Sequence, residues 1–307
     1  MENIIKKFLN LTIIEKLLLF FFILIIIVLI CSHTKTAKEG FDNFNKELIL
    51  KKDIDIYDDF YINIFDVLSY DKIITDFEVG NIISSTYPTE KSIILDTGSK
   101  NGYIVNLFKE ITNQVIGIEL SKNMIEKAIE RYPHLKNNFL QEDILNNQLF
   151  ENNSFTHIFS LNLNFYNIQN KKLFLENCFN WLIPGGCLAL NLIDNPNLSM
   201  KQRIINIRSN VFPDFVDPNI LLTESVKFKD FTYYPKYYMI TDNKGILEEK
   251  FNFNNGNIRK QETTIYFMSI NEILKIAKYL GFIVLQQFTL KNNNHNNNYL
   301  YILQKPN

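Results

Sequence analysis

Leu95-Asp96-Thr97-Gly98-Ser99-Lys100-Asn101-Gly102 is the stretch on which the reading of this chain turns. A short apolar strand, Ser92–Leu95, runs into it, and a helical pattern over Asn101–Ile111 leaves it. Glycines at a strand-to-helix turn let backbone approach a ligand where a Cβ would clash. Two glycines alone are a weak signal, so the neighbouring segments decide.

Downstream, Val115–Ile118 reads as a strand and Ser121–Arg131 as a helix with Ser121 at its N-cap. Asn138–Leu140 and Phe155–Leu161 read as strands. Ile168–Leu182 is an amphipathic helix stopped by Pro184-Gly185-Gly186, and Cys187–Leu192 is another apolar strand. Such alternation predicts a mainly parallel sheet covered by helices on both faces, with ligands beyond the carboxyl ends of the strands. Two carboxylates stand at those ends. Glu119 follows the second strand, where it can accept from both ribose hydroxyls; Asp143 follows the third, where it can accept from an adenine amino group.

The order of these features resembles a class I S-adenosylmethionine-dependent methyltransferase of the small-molecule type. The family's first motif, Asp/Glu-x-Gly-x-Gly-x-Gly, is matched by Asp96, Gly98 and Gly102. Ile116 and Ile118 precede the acidic Glu119, as in the family's second strand. Leu120-Ser121-Lys122-Asn123-Met124 is similar to the segment whose methionine packs on adenine. Gln141-Glu142-Asp143-Ile144 is similar to the adenine-binding turn. The resemblance covers roughly residues 55–305. It implies a Rossmann-like, doubly wound seven-stranded sheet with an antiparallel last strand, and S-adenosyl-L-methionine held by Asp96, Gly98, Lys100, Gly102, Glu119, Leu120, Met124, Asp143 and Ile144.

Two positions depart from the pattern. Lys100 replaces the middle glycine, and its ammonium is expected to aim at the methionine carboxylate. Thr156 stands where an acidic residue usually follows Phe155. A dinucleotide site is the rival reading, since Glu119 also suits a ribose. It is the weaker one, because that fingerprint needs the glycine Lys100 replaces and Asp96 would crowd a pyrophosphate. Methyl transfer from a sulfonium requires mainly alignment and desolvation, and no catalytic residue stands out. His157, Cys178 and Cys187 read as core. Tyr57 and Tyr61 read as packing residues near the cofactor.

Upstream, residues 17–31 are uninterrupted apolar. With Lys16 snorkelling at one end and mild residues to Lys35 at the other, about 20 residues span a bilayer. This predicts one N-terminal transmembrane anchor over residues 1–35, in contact with lipid through residues 16–35. A cleaved signal peptide competes, but the run lacks a small-x-small site. Lysines on both sides leave orientation undecided by charge; a cytosolic catalytic domain is expected, because the methyl donor is made there. Residues 36–52 read as a polar tether and 53–86 as helical, with Tyr57, Phe60, Tyr61, Ile64 and Phe65 at helical spacing.

Beyond Asp194 the pattern changes. Residues 199–209 read as helical, and Phe231–Ile240, Ile246–Phe253 and Ile258–Met268 as a meander with an Asn-Gly turn. Ser269 caps a helix ending at Leu280, with Gly281 as its stop. Phe282–Leu290 and Tyr299–Leu303 close the sheet, around an Asn-rich hairpin loop at 292–298. The Tyr- and Phe-rich insert at about 195–268 is expected to cover the site and select a small-molecule or lipid acceptor.

Composition sets the outer bounds. The 307 residues, 46% of them hydrophobic and 14% aromatic, suffice for a large buried core and exclude wholesale disorder. A net charge of −1 gives no footprint for nucleic acid. Three cysteines at these spacings suggest neither disulfides nor zinc. A catalytically inactive scaffold that kept the fold is the alternative from another functional class.

Overall fold

The structure is a computed structural model that describes residues 12, 14–16, 47–69, 72–194, 225–290 and 298–307. The chain divides into two units, Met1–Glu47 and Leu48–Asn307. In the first, the Thr12 hydroxyl and N–H both donate to Glu15 Oε2 at 2.8 Å, capping a short helical stretch at residues 14–16. The apolar run at 17–31 lies outside the described residues. Among those described, no helix is long and apolar enough to cross a membrane.

The second unit carries two sheets. The larger contains β2 (Ile93–Asp96), β3 (Gln114–Glu119), β4 (Phe139–Gln141), β5 (Phe155–Ser160), β6 (Leu182–Ile193), β11 (Ile283–Thr289) and β12 (Asn298–Gln304). Their order is β11-β12-β6-β5-β2-β3-β4. β2 to β6 are mutually parallel, while β12 runs antiparallel to β6 and β11 antiparallel to β12. The expected seven strands with an antiparallel last strand are therefore present.

Alternation along the strands builds the two faces. Leu95, Ile158, Leu188 and Leu190 enter one core cluster, and Ile94, Phe159 and Ala189 the other. The connecting helices are α3 (Tyr103–Lys109), α4 (Lys122–Arg131), α5 (Lys171–Trp181) and α6 (Ile270–Leu280). Ser121 caps α4 by accepting from Met124 N–H at 3.3 Å. α6 has the capping box of Ser269 and Glu272 and ends on Gly281 at φ 109°, as the sequence implied.

The smaller sheet has five strands in the order β1-β10-β9-β8-β7. It comprises β1 (Leu48–Lys52), β7 (Val226–Lys227), β8 (Phe231–Thr241), β9 (Lys244–Phe253) and β10 (Ile258–Tyr266). The meander is as expected, but β1 corrects the tether reading. Leu48–Lys52 pairs in parallel with Ile258–Glu262, and Lys52 forms an ion pair with Glu262 at 3.0 Å. Three apolar residues followed by two lysines carry no alternation that would mark a strand, and Leu48 and Leu50 stay exposed at the sheet edge.

Two further readings change. The stretch 53–86 is not one helix. A 3-10 turn, Asp53–Ile56, precedes α1 (Asp59–Ser69) and then α2 (Lys72–Thr86). Asp58 fixes the start of α1 by accepting from Tyr61 N–H at 3.2 Å. Pro184-Gly185-Gly186 does not stop a helix but lies within β6. There Gly185, at φ 79°, donates its N–H to Lys305 O at 2.8 Å, and the pairing with β5 shifts register. α5 ends earlier, where Leu182 turns extended. The expected helix at 199–209 and most of the loop at 292–298 fall outside the described residues.

Candidate functional site

The chain crosses from β4 to β5 on the far side of β2, so the order reverses at the carboxyl end of β2, and a crevice opens there in sheets of this kind. Register brings the chemistry to this point. Asp96 lies level with Gly117 of β3 and Phe159 of β5, and Glu119 is two residues beyond Gly117.

Asp96 is 1% exposed, and its Oδ2 receives no hydrogen bond among the described residues. Burial pushes its carboxyl up to about 7, the nearby Lys100 ammonium pulls it down, and the Glu119 carboxylate adds to the rise. Glu119 is also buried. Burial raises its carboxyl, while the Ser121 N–H, the Lys100 ammonium and the Lys100 N–H oppose the rise. Ser121 N–H donates to Oε1 at 2.9 Å and Lys100 N–H to Oε2 at 3.2 Å. Each oxygen has a further lone pair to offer a ligand hydroxyl.

Lys100 adopts φ 44°, in the left-handed region. A non-glycine residue there costs about 1–2 kcal/mol, which is the physical reason for a glycine at this position of the motif. Its ammonium lies 5.9 Å from the centroid of the Phe65 ring, and the side chain lines a narrow cavity of about 30 Å³ together with Tyr57, Tyr61, Phe65, Ser69 and Asn162. Gly102 is at φ 76°, and a Cβ there would meet Phe139 at 2.8 Å and Ala128 at 3.0 Å. It is glycine for the turn and for close helix–sheet packing.

Gly98 packs against a second loop. A Cβ on it would collide with the Asn164 amide, which donates to Thr97 O at 2.6 Å. On that side the glycine makes room for the loop after β5. Met124, expected to pack on adenine, is 1% exposed and packed in a cluster with Tyr61, Phe65, Phe231 and Phe251. Leu120, by contrast, is 52% exposed at the end of β3. Asp143 is exposed, with Oδ1 accepting from Leu145 N–H at 2.9 Å, and Ile144 is buried with its carbonyl held by Asn177 Nδ2 at 3.1 Å. Asp96, Lys100 and Glu119 thus form one electrostatic group.

Sequence reasoning missed the loop after β5. Asn162 and Leu163, both at positive φ, lead into a 3-10 turn at Asn164–Asn167 that lines the cavity. Lys171, 2% exposed, donates to Phe165 O at 3.0 Å and Ile168 O at 2.8 Å, holding the turn. Burial pushes that ammonium down to about 7. A lysine at the first position of an otherwise apolar-faced helix was the available signal. Also missed was a buried polar network in the smaller sheet, Glu249, Gln261 and Arg259, signalled by a carboxylate on the inward face between Leu247 and Phe251.

Comparison with known proteins bears on the fold. Residues 94–186 match the model of a methyltransferase domain. No curated protein sequence matches the chain. A crystal structure of an S-adenosylmethionine-dependent methyltransferase from Clostridium acetobutylicum is 15% identical, covers 80% of this chain and 98% of its own, and superposes with a TM-score of 0.60. The PH0226 protein from Pyrococcus horikoshii is 15% identical, with 81% and 99% coverage and a TM-score of 0.55. CalS10, an amino pentose methyltransferase from Micromonospora echinaspora solved with S-adenosylmethionine bound, is 16% identical, with 76% and 91% coverage and a TM-score of 0.52. The described part of the chain accordingly shares its fold with S-adenosylmethionine-dependent methyltransferases of known structure, and residues 94–186 match a methyltransferase domain.

Proposed function

We propose that this protein transfers a methyl group from S-adenosyl-L-methionine to a small-molecule or lipid acceptor, and that residues 16–35 hold it at a membrane with the catalytic domain in the cytosol. The observation that carries the reading is Asp96, a buried carboxyl at the switch point of the sheet with one oxygen that receives no hydrogen bond among the described residues. Such a group is costly unless a cationic ligand compensates it. The donor set suits the cofactor: Asp96 toward the amino group, Glu119 toward the ribose hydroxyls, and Asp143 toward the adenine amine. The exposed Leu120 would sit beside the nucleoside, and the Lys100 ammonium would face the carboxylate. When bound, the cofactor supplies a methyl group already activated for displacement.

The chain's own contribution is alignment and exclusion of water. The aromatic residues of α1 and the inner face of the smaller sheet cover the crevice, and the Asn164 loop closes it from the β5 side. The amino pentose methyltransferase among the similar structures supports a small-molecule acceptor.

Calorimetry tests the cofactor reading. Losing a charge-assisted hydrogen bond costs about 1.5–3 kcal/mol, so Glu119→Ala and Asp143→Ala should each weaken binding of S-adenosylmethionine about tenfold or more. Unchanged affinity in both, with the fold intact, would sink the assignment. The second reading, an inactive scaffold, is favoured by the narrow cavity and by Lys100 at a glycine position. It predicts no binding by the native chain.

A further inference from the structure

Glu249 on β9 is 1% exposed, and three donors converge on it. Tyr233 Oη donates to Oε1 at 2.6 Å, while Tyr61 Oη and Gln261 Nε2 donate to Oε2 at 2.9 and 2.8 Å. One neighbour fixes the direction of Gln261. Arg259 has only donors, and its Nε reaches Gln261 Oε1 at 2.7 Å, so Gln261 must turn its amide nitrogen to Glu249. Arg259 is itself held by Asp58 Oδ2 at 2.6 Å and Ile56 O at 2.9 Å. The result is an acceptor-only group, locked in place behind the cavity.

One of the three donors leads out of the core. Tyr61 lines the cavity on α1, and its hydroxyl lies 3.1 Å from Ser69 Oγ, which lines it too. Hydroxyl chains of this kind carry protons by exchanging one bond for the next.

Resting on the methyltransferase reading, we infer that Ser69, Tyr61 and Glu249 form a proton relay, and that the acceptor methylated here is a protic one, reacting at an O–H or N–H group. The proton leaves the acceptor for the Ser69–Tyr61 hydroxyl pair as the Tyr61 proton passes to Glu249 Oε2. The lone pair so exposed forms the bond to the methyl carbon, the carbon–sulfur bond breaks, and its electrons stay on sulfur. The buried carboxylate ends neutral and returns its proton to solvent after turnover. A cavity of this width admits the reacting hydroxyl or amino group rather than the body of the acceptor. Ser69 meets the acceptor's proton and Tyr61 passes it on; Glu249 acts through Tyr61, and Gln261 and Arg259 position Glu249.

The test uses the full-length chain with Tyr61→Phe, Glu249→Gln and, as a comparison, Tyr233→Phe. Tyr233 contacts the same carboxylate outside the cavity. Calorimetry with S-adenosylmethionine separates the two readings: no binding by the native chain fails the cofactor assignment and this inference with it, whereas binding that persists in all variants leaves the relay to be judged alone. Infrared difference spectra, native minus Glu249→Gln, should show a carboxylate band; a protonated carboxyl band overturns the relay. Methyl transfer is then measured with a phenol, a primary amine and a thioether as probe acceptors. Transfer to a protic probe, with kcat falling about 100-fold in Tyr61→Phe and Glu249→Gln at unchanged KM, is the expected result. Transfer to the thioether alone, no transfer to a protic probe, or an equal kcat loss in Tyr233→Phe overturns it.

Discussion

Asp96→Asn should make the protein more stable and less able to hold its cofactor. The carboxyl is buried, and its pKa rises from 3.8 to about 7, chiefly by burial. Folded protein therefore binds more protons than unfolded protein between these values. Stability is fully present below pH 3.8, declines as pH rises through the window, and carries the whole cost above 7. A shift of that size corresponds to about 4 kcal/mol as a ceiling. Asparagine has the same shape and no charge, but it still buries an amide, so a gain of about 1–3 kcal/mol at pH 8 is expected. Glu119 gains as well, because it loses a like charge beside it. Denaturant unfolding of native and Asp96→Asn protein at pH 4, 6 and 8, without cofactor, measures this. The difference should be small at pH 4 and grow towards pH 8, while affinity for S-adenosylmethionine at pH 8 falls at least tenfold. A stability difference independent of pH, or a variant binding as tightly as native, would refute the account of Asp96 as a strained group kept for a cation.

Three other outcomes are expected. Lys100→Gly should stabilise the chain by about 1 kcal/mol, since it removes a left-handed lysine. Lys100→Ala and Lys100→Gly both lose the ammonium, but only glycine restores the close backbone approach, so calorimetry should find the cofactor affinity of Lys100→Ala the lower of the two. His157 is buried, and burial lowers its pKa to about 4. Unfolded chains take up its proton first as pH falls from 6.5 to 4, so native stability should drop by up to about 3 kcal/mol across that range, and His157→Leu should flatten the pH dependence seen in denaturant titrations. Full-length protein should resist alkaline carbonate extraction, whereas a fragment starting near Thr36 should not. Protease protection of the domain inside vesicles whose cytosolic side faces outward would count against the cytosolic placement.

The larger sheet was legible because each of its inner strands is buried on both faces, and a run such as Leu188–Ile193 has few other structures available. The helix caps at Ser121 and Ser269 were legible because capping is local chemistry. What escaped depends on partners distant in sequence. Leu48–Lys52 is a strand only because Ile258–Glu262 lies beside it, more than 200 residues away. Glu249 has significance only through Tyr61 and Tyr233, on two other elements. Gly98 was read as a close approach of backbone to a ligand; the neighbour an added Cβ would meet, Asn164, belongs to a loop with no periodicity to betray it. Lys100 was recognised as a departure, and its left-handed backbone supplies the reason the departure is costly.

The parallel pairing of β1 with β10 also determines a path for mechanical load. Whatever holds the chain ahead of Leu48 pulls on an edge strand of the smaller sheet, not on the seven-stranded one. The ladder between Leu48–Lys52 and Ile258–Glu262, together with the Lys52–Glu262 ion pair, takes the first strain. Tension is then handed to β10, whose Arg259 and Gln261 clasp Asp58 and Glu249. Load entering at Leu48 would thus meet the smaller sheet before the strands that carry Asp96 and Glu119.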